Sequence, residues 1–168
     1  DPLTSGEVDS SGNDFVNDDK PAPAIVAQQE EALYKLAHAG ARKILIVNLP
    51  DLSRAPVFRM GRKDAHTVLG KVEYYNARIG DVAARVAAAT GATIRVVDSR
   101  SSFDELMASP DRFGFRNASE SCLAIDDTSS LNYIRKPALR PGCRPDDYVF
   151  WDTLHPTARV HRLMAEWA

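Results

Sequence analysis

The sequence predicts an α/β fold with a parallel sheet and helices on both of its faces, and three observations lead there. Apolar, β-branched-rich runs alternate with amphipathic helical stretches along the chain, the alternation that produces parallel strands joined by right-handed crossovers. The first two long helical patterns each stop at a glycine, Gly40 and Gly91, a common helix terminator. The apolar runs end in polar residues, Asn48, Asp98 and Asp152, at the carboxyl edge where α/β enzymes place functional groups.

The elements follow in order. Residues 1–22 are polar and acidic, with Pro21 and Pro23 at their end, and read as a flexible lead; residues 23–168 read as one α/β domain. Pro23 to Ala39 predicts a helix with Ile25, Val26, Leu33, Leu36 and Ala37 on one face. Lys43 to Leu49 is a continuous β-branched-rich run, expected to be a strand buried on both faces, and Leu52 to Arg62 a long loop. Asp64 to Thr90 is a long amphipathic helix with Val68, Leu69, Val72, Tyr75, Ile79, Val82 and Val86 at helical spacing. Thr93 to Val97 is the next strand and Ser101 to Ala108 a short helix; the chain then reads as irregular until a strand at Tyr148. Thr157 to Trp167 closes the chain as a helix with Val160, Leu163, Met164 and Trp167 on one side.

Composition bounds the function. At 168 residues and 44% hydrophobic, the chain can bury a sizeable core. A formal net charge of −2 with scattered arginines offers nucleic acid no basic stripe. No apolar run approaches a membrane span. There is no secretory leader, and a chain beginning at Asp1 is compatible with a processed product. Arg135, Arg140 and Arg144 leave two readings open, a solvated loop or a local anion or headgroup contact.

The most informative stretch is Phe150-Trp151-Asp152-Thr153-Leu154-His155-Pro156-Thr157. It places a carboxylate and an imidazole three residues apart, after a buried-strand pattern and before a helix, with Pro156 at a plausible first helical position. A histidine acting as a base needs an acid to fix its tautomer and stabilise the imidazolium, and Asp152 is close enough in sequence to serve. His38, His66 and His161 lack supporting partners or a third-ligand pattern, so no metal or other cofactor is expected.

Phe150-Trp151-Asp152-x-x-His155-Pro156-Thr157 is similar to the last sequence block of the GDSL/SGNH serine hydrolases, in particular the bacterial secreted lipase, phospholipase and acyltransferase branch. Gly40 to Leu52 resembles the central helix-to-strand passage of that branch, Tyr75-Asn76 its middle helix, and Arg112-Phe113-Gly114-Phe115 with Cys122 the approach to its cysteine-bounded loop. Gly12-Asn13-Asp14 resembles the block whose Asn helps form the oxyanion hole. The resemblance implies a three-layer, flavodoxin-like SGNH fold acting on acyl-ester or lipid substrates. It assigns His155 as general base and acid, Asp152 as its orienting acid and Asn13 as an oxyanion donor.

The family's Gly-Asp-Ser-Leu nucleophile block has no counterpart here; Ser10, in Asp9-Ser10-Ser11, is only a weak echo. The expectation is therefore a fold truncated at its N-terminal side, with the serine on a segment not in this chain and the sheet completed by an N-terminal fragment or a second copy. An inactive remnant or binding module of the same fold, and a carbohydrate-ester deacetylase, are the alternatives. Cys122 and Cys143 read either as one disulfide in an oxidising compartment or as two buried thiols in the cytosol. The resembled branch carries a bridge here, which implies the disulfide and a secreted or periplasmic location.

Overall fold

A computed structural model describes residues 21–60, 64–127 and 137–168. Helix α1, Ala22–His38, has Pro23 in its first turn, where a missing N–H leaves no intrahelical bond unmade. It buries Ala22, Val26, Leu33 and Ala37 against α3, Ala65–Thr90. Leu36, expected on that face, is 51% exposed, because it lies at the rim of the stripe that Val26, Leu33 and Ala37 define.

Asp64 caps α3 by accepting from the His66 N–H and the Thr67 hydroxyl. At the other end Gly91 takes a φ of 69° and its N–H closes onto the Ala87 carbonyl, a left-handed cap that a side chain would strain. Val68, Val72, Tyr75, Ile79, Val82 and Val86 are buried along α3 as the spacing predicts. Full burial of each such aliphatic side chain stabilises the fold by about 1.5–3 kcal/mol.

Strands β1, Lys43–Val47, and β2, Thr93–Val97, pair in parallel from Lys43 opposite Thr93 to Val47 opposite Val97. The expectation that the first strand is buried on both faces is corrected. Ile46 is buried and Ile44 packs on the core, whereas Leu45 is 53% and Val47 44% exposed. Alternation at period two is what one covered face produces, and a continuous apolar run cannot reveal it.

Three further differences matter for the site. The stretch read as a long loop contains a 3-10 turn, Leu52–Arg54, and a short helix α2, Pro56–Arg59. Helix α4, Ser99–Ala108, starts earlier than expected because Asp98 caps it, accepting from the Ser101 N–H. The stretch read as irregular holds β3, Asn117–Ser121, parallel to β4, Tyr148–Phe150. Asn-Ala-Ser-Glu-Ser has no apolar alternation, so β3 owes its state to its buried partner: Val149 is 0% and Phe150 2% exposed.

The parallel strands and flanking helices make a mixed α/β fold. Among the described residues the strands pair two and two, β1 with β2 and β3 with β4, rather than in one continuous ladder. One apolar cluster nevertheless runs from Val26 of α1 to Val160 of the last helix, α5, Ala158–Trp167. No helix among the described residues is long and apolar enough to cross a membrane.

Candidate active site

Between β4 and α5 the chain makes a tight polar loop whose shape comes from its own backbone and one carboxylate. The Trp151 N–H donates to the His155 carbonyl at 2.8 Å, and the Thr157 N–H to the Val149 carbonyl at 2.8 Å. Pro156 forms an antiparallel bridge with Phe150. It therefore precedes the helix instead of opening it, and Thr157 takes the cap position. The ring suits this place because the residue needs no N–H for a ladder and its φ is already set.

Asp152 organises the loop from inside. Its Oδ1 accepts the backbone N–H groups of Leu154 at 2.8 Å and His155 at 2.6 Å. Its Oδ2 lies 2.8 Å from Nδ1 of His155. The Asp152 side chain is 6% exposed and that of His155 is 45% exposed, so the acid is sheltered while the imidazole reaches solvent.

Burial is the largest influence on Asp152 and raises its pKa. The hydrogen bond from His155, the two backbone N–H groups and the nearby imidazole together outweigh it and hold the carboxyl below its ordinary value. An ionised carboxylate only accepts, so the proton of the pair sits on Nδ1 and the Nε2 lone pair is the one that can take a proton. The arrangement can therefore orient an imidazole and stabilise its charged form.

Two neighbouring elements brace the loop. The Val57 N–H of α2 donates to the Thr153 carbonyl at 2.8 Å, and the residues after β3 continue its pairing, Cys122 N–H to Phe150 and Leu123 N–H to Trp151, each at 2.9 Å. Cys122 is bonded to Cys143 with a Cα–Cα separation of 5.6 Å, so the two-thiol reading is excluded. Arg140, in the segment so joined, donates from Nε to the Ser121 carbonyl at 2.9 Å.

A second polar group lies at the carboxyl ends of β1 and β2. Asn76 of α3 accepts the Leu49 N–H at 2.9 Å and donates to the Leu49 carbonyl at 2.7 Å. Asn48 donates to Asp98 at 2.9 Å and accepts from the Arg100 N–H at 2.9 Å. These bonds hold the strand-to-α2 passage in place. Sequence reasoning noted Asn76 only through a resemblance, and it had no signal for the docking of Val57.

Of the residues singled out from sequence, Asp152 and His155 lie in hydrogen-bond contact and Cys122 and Cys143 are joined. Ser10, Asn13 and Arg135 lie outside the described residues. His38, His66 and His161 are exposed and dispersed, and among the described residues no group of three or more His, Cys, Asp or Glu is placed to hold a metal ion.

Comparison with known proteins returns one family. The sequence profile described as GDSL-like Lipase/Acylhydrolase matches residues 8–168. The chain is 36% identical over 158 residues to a protein of Vibrio parahaemolyticus serotype O3:K6 named thermolabile hemolysin, covering 92% of this chain and 38% of the relative. It is similar also to two Arabidopsis thaliana proteins named GDSL esterase/lipase. One is 25% identical over 152 residues (86% of this chain, 41% of the relative); the other is 28% identical over 137 residues (79% and 38%). The chain thus spans about two fifths of the length of these relatives.

Proposed function

The chain belongs to the GDSL-like lipase/acylhydrolase family, and on that premise we propose that it carries the acid–base half of a serine ester hydrolase. In this reading His155 takes the proton of a serine hydroxyl as the serine attacks an acyl ester. It then returns the proton to the leaving alcohol, while Asp152 holds its tautomer and stabilises the imidazolium. The observation that carries the proposal is the sheltered Asp152 carboxylate at 2.8 Å from Nδ1 of a solvent-reaching His155.

The serine comes from a segment not in this chain, a reading supported by the fraction of its relatives that the chain spans. Asn13 donates to the oxyanion in the same scheme, a role typically worth about 2.7–4 kcal/mol of barrier. The substrate is an acyl ester, lipids included. The Cys122–Cys143 bridge supports an oxidising compartment, secreted or periplasmic.

A fluorophosphonate probe tests the assignment on the product of the complete reading frame. The expected result is covalent labelling of one serine outside these 168 residues, abolished by His155→Ala. Labelling that survives that substitution, or a folded product that takes no label, overturns it.

A further inference from the structure

Thr157 stands where the chain returns from the Asp152–His155 loop to enter α5, and it ties that return to β4 twice. Its N–H donates to the Val149 carbonyl at 2.8 Å, and its hydroxyl donates to the Tyr148 carbonyl at 2.9 Å. A threonine just before a helix ordinarily turns its side-chain oxygen onto the first free N–H groups of that helix. Here the side chain makes no such cap. The hydroxyl is aimed back at the strand instead, where Thr157 is 2% and Val149 0% exposed.

The residues before it explain the need. A returning chain pairs with a strand through its N–H groups, but Pro156 has none, and the His155 N–H is given to Oδ1 of Asp152 at 2.6 Å. Thr157 therefore supplies from its side chain a second donor that the main chain lacks. About a single hydrogen bond the returning segment can pivot. A second bond, to the neighbouring carbonyl, removes that rotation.

His155 lies two residues away, with Nδ1 at 2.8 Å from Oδ2 of a carboxylate that Leu154 and His155 N–H groups hold in place. A rotation at Thr157 is carried to that contact, and hydrogen bonds weaken steeply once bent. Resting on the ester-hydrolase reading above, we propose that Thr157 is a positioning residue for the base: its hydroxyl bond to Tyr148 holds the His155 ring on Asp152. A threonine that only packed the core would add stability there and leave the ring as it is.

The test follows the His155 ring by its ¹⁵N and Hδ1 NMR signals in this chain. Thr157→Val keeps the shape of the side chain and removes the hydroxyl, whereas Thr157→Ser keeps the hydroxyl. Solvent exchange of the ring Nδ1 proton is expected to quicken about five- to ten-fold in the valine protein, the factor that one lost hydrogen bond carries. The Nε2–H tautomer should appear in its ¹⁵N shifts. The serine protein should stay near the parent rate. Val86→Ala opens a cavity at a fully buried position near the C-terminal end of α3; it controls for lost stability and should leave the ring signals unchanged. The proposal is overturned by a valine protein whose ring proton exchanges at the parent rate, by a serine protein that behaves like the valine one, or by an equal effect of Val86→Ala. A valine protein that does not fold hands the question to the parent chain. There the Thr157 N–H and the His155 ring proton are expected to open with the same free energy across urea concentrations, and independent opening overturns the proposal. None of these signals needs a serine, so the proposal can fail while fluorophosphonate labelling succeeds, and the reverse.

Discussion

Replacing Asp152 by asparagine isolates the tautomer argument from the loop's stability. The carboxylate does two jobs with two oxygens: Oδ1 accepts the N–H groups of Leu154 and His155, and Oδ2 faces Nδ1 of His155 at 2.8 Å. An asparagine whose carbonyl oxygen takes the Oδ1 position keeps both backbone bonds. Its amide then presents Nδ2 to the ring. Two donors cannot share a hydrogen bond, so Nδ1 loses its proton and the imidazole changes to the Nε2–H tautomer, which cannot accept from a serine. The expected loss in kcat is roughly four orders of magnitude, or about 5 kcal/mol of barrier. Stability should fall by only about 1 kcal/mol, because only the charge-assisted bond to the ring is exchanged. Asp152→Ala instead strips both N–H groups of their acceptor and should cost about 2–4 kcal/mol. Ester hydrolysis by the product of the complete reading frame, urea unfolding, and the ¹⁵N shifts of the His155 ring measure the three quantities. An Asp152→Asn protein that keeps activity within ten-fold of the parent, with its ring still Nδ1–H, would refute the reasoning.

Other perturbations probe the supports of the loop. The folded-state pKa of Asp152 lies below its ordinary value, so its stabilisation is present at neutral pH and is lost as the pH falls past the ordinary carboxylate range and through that lowered value. Tm measured against pH should show this acid limb, and Asp152→Asn should flatten it. Reduction, or Cys122→Ser with Cys143→Ser, opens a bridge with a sequence separation of 21 and should cost about 3 kcal/mol in the chain-entropy treatment, read as a shift of the urea midpoint. Asn76→Leu leaves the N–H and carbonyl of Leu49 without their partners and should destabilise by about 1–3 kcal/mol, measured by the same unfolding. Gly114→Ala is expected to cost about 1–3 kcal/mol. Gly114 has a φ of 77°, and a Cβ there would lie 2.6 Å from Nη2 of Arg159, a side chain that donates to the carbonyls of Phe113, Gly114 and Asp146.

Much of the fold was legible because its signals are short-range. The stripe of α3 is a property of residues three and four apart, and Asp64 and Gly91 mark its ends by cap chemistry that needs no other part of the molecule. β2 and β4 stood out as compact apolar runs. The Asp152–His155 pair was visible for the same reason, since three residues across a turn bring carboxylate and ring together locally. Where the reading went astray, a distant partner decided the outcome. Leu36, Leu45 and Val47 are apolar yet exposed, and no local pattern tells a covered face from an open one.

The sequence by itself determined the long helices α1 and α3, the apolar strands, and the local pairing of Asp152 with His155. Only the tertiary structure decided that polar Asn117–Ser121 becomes a strand beside β4, and that α2 docks on Thr153 through Val57. The division is physical: caps, turns and amphipathic stripes are satisfied within a few residues, whereas strand pairing and face burial exist only after distant segments have packed.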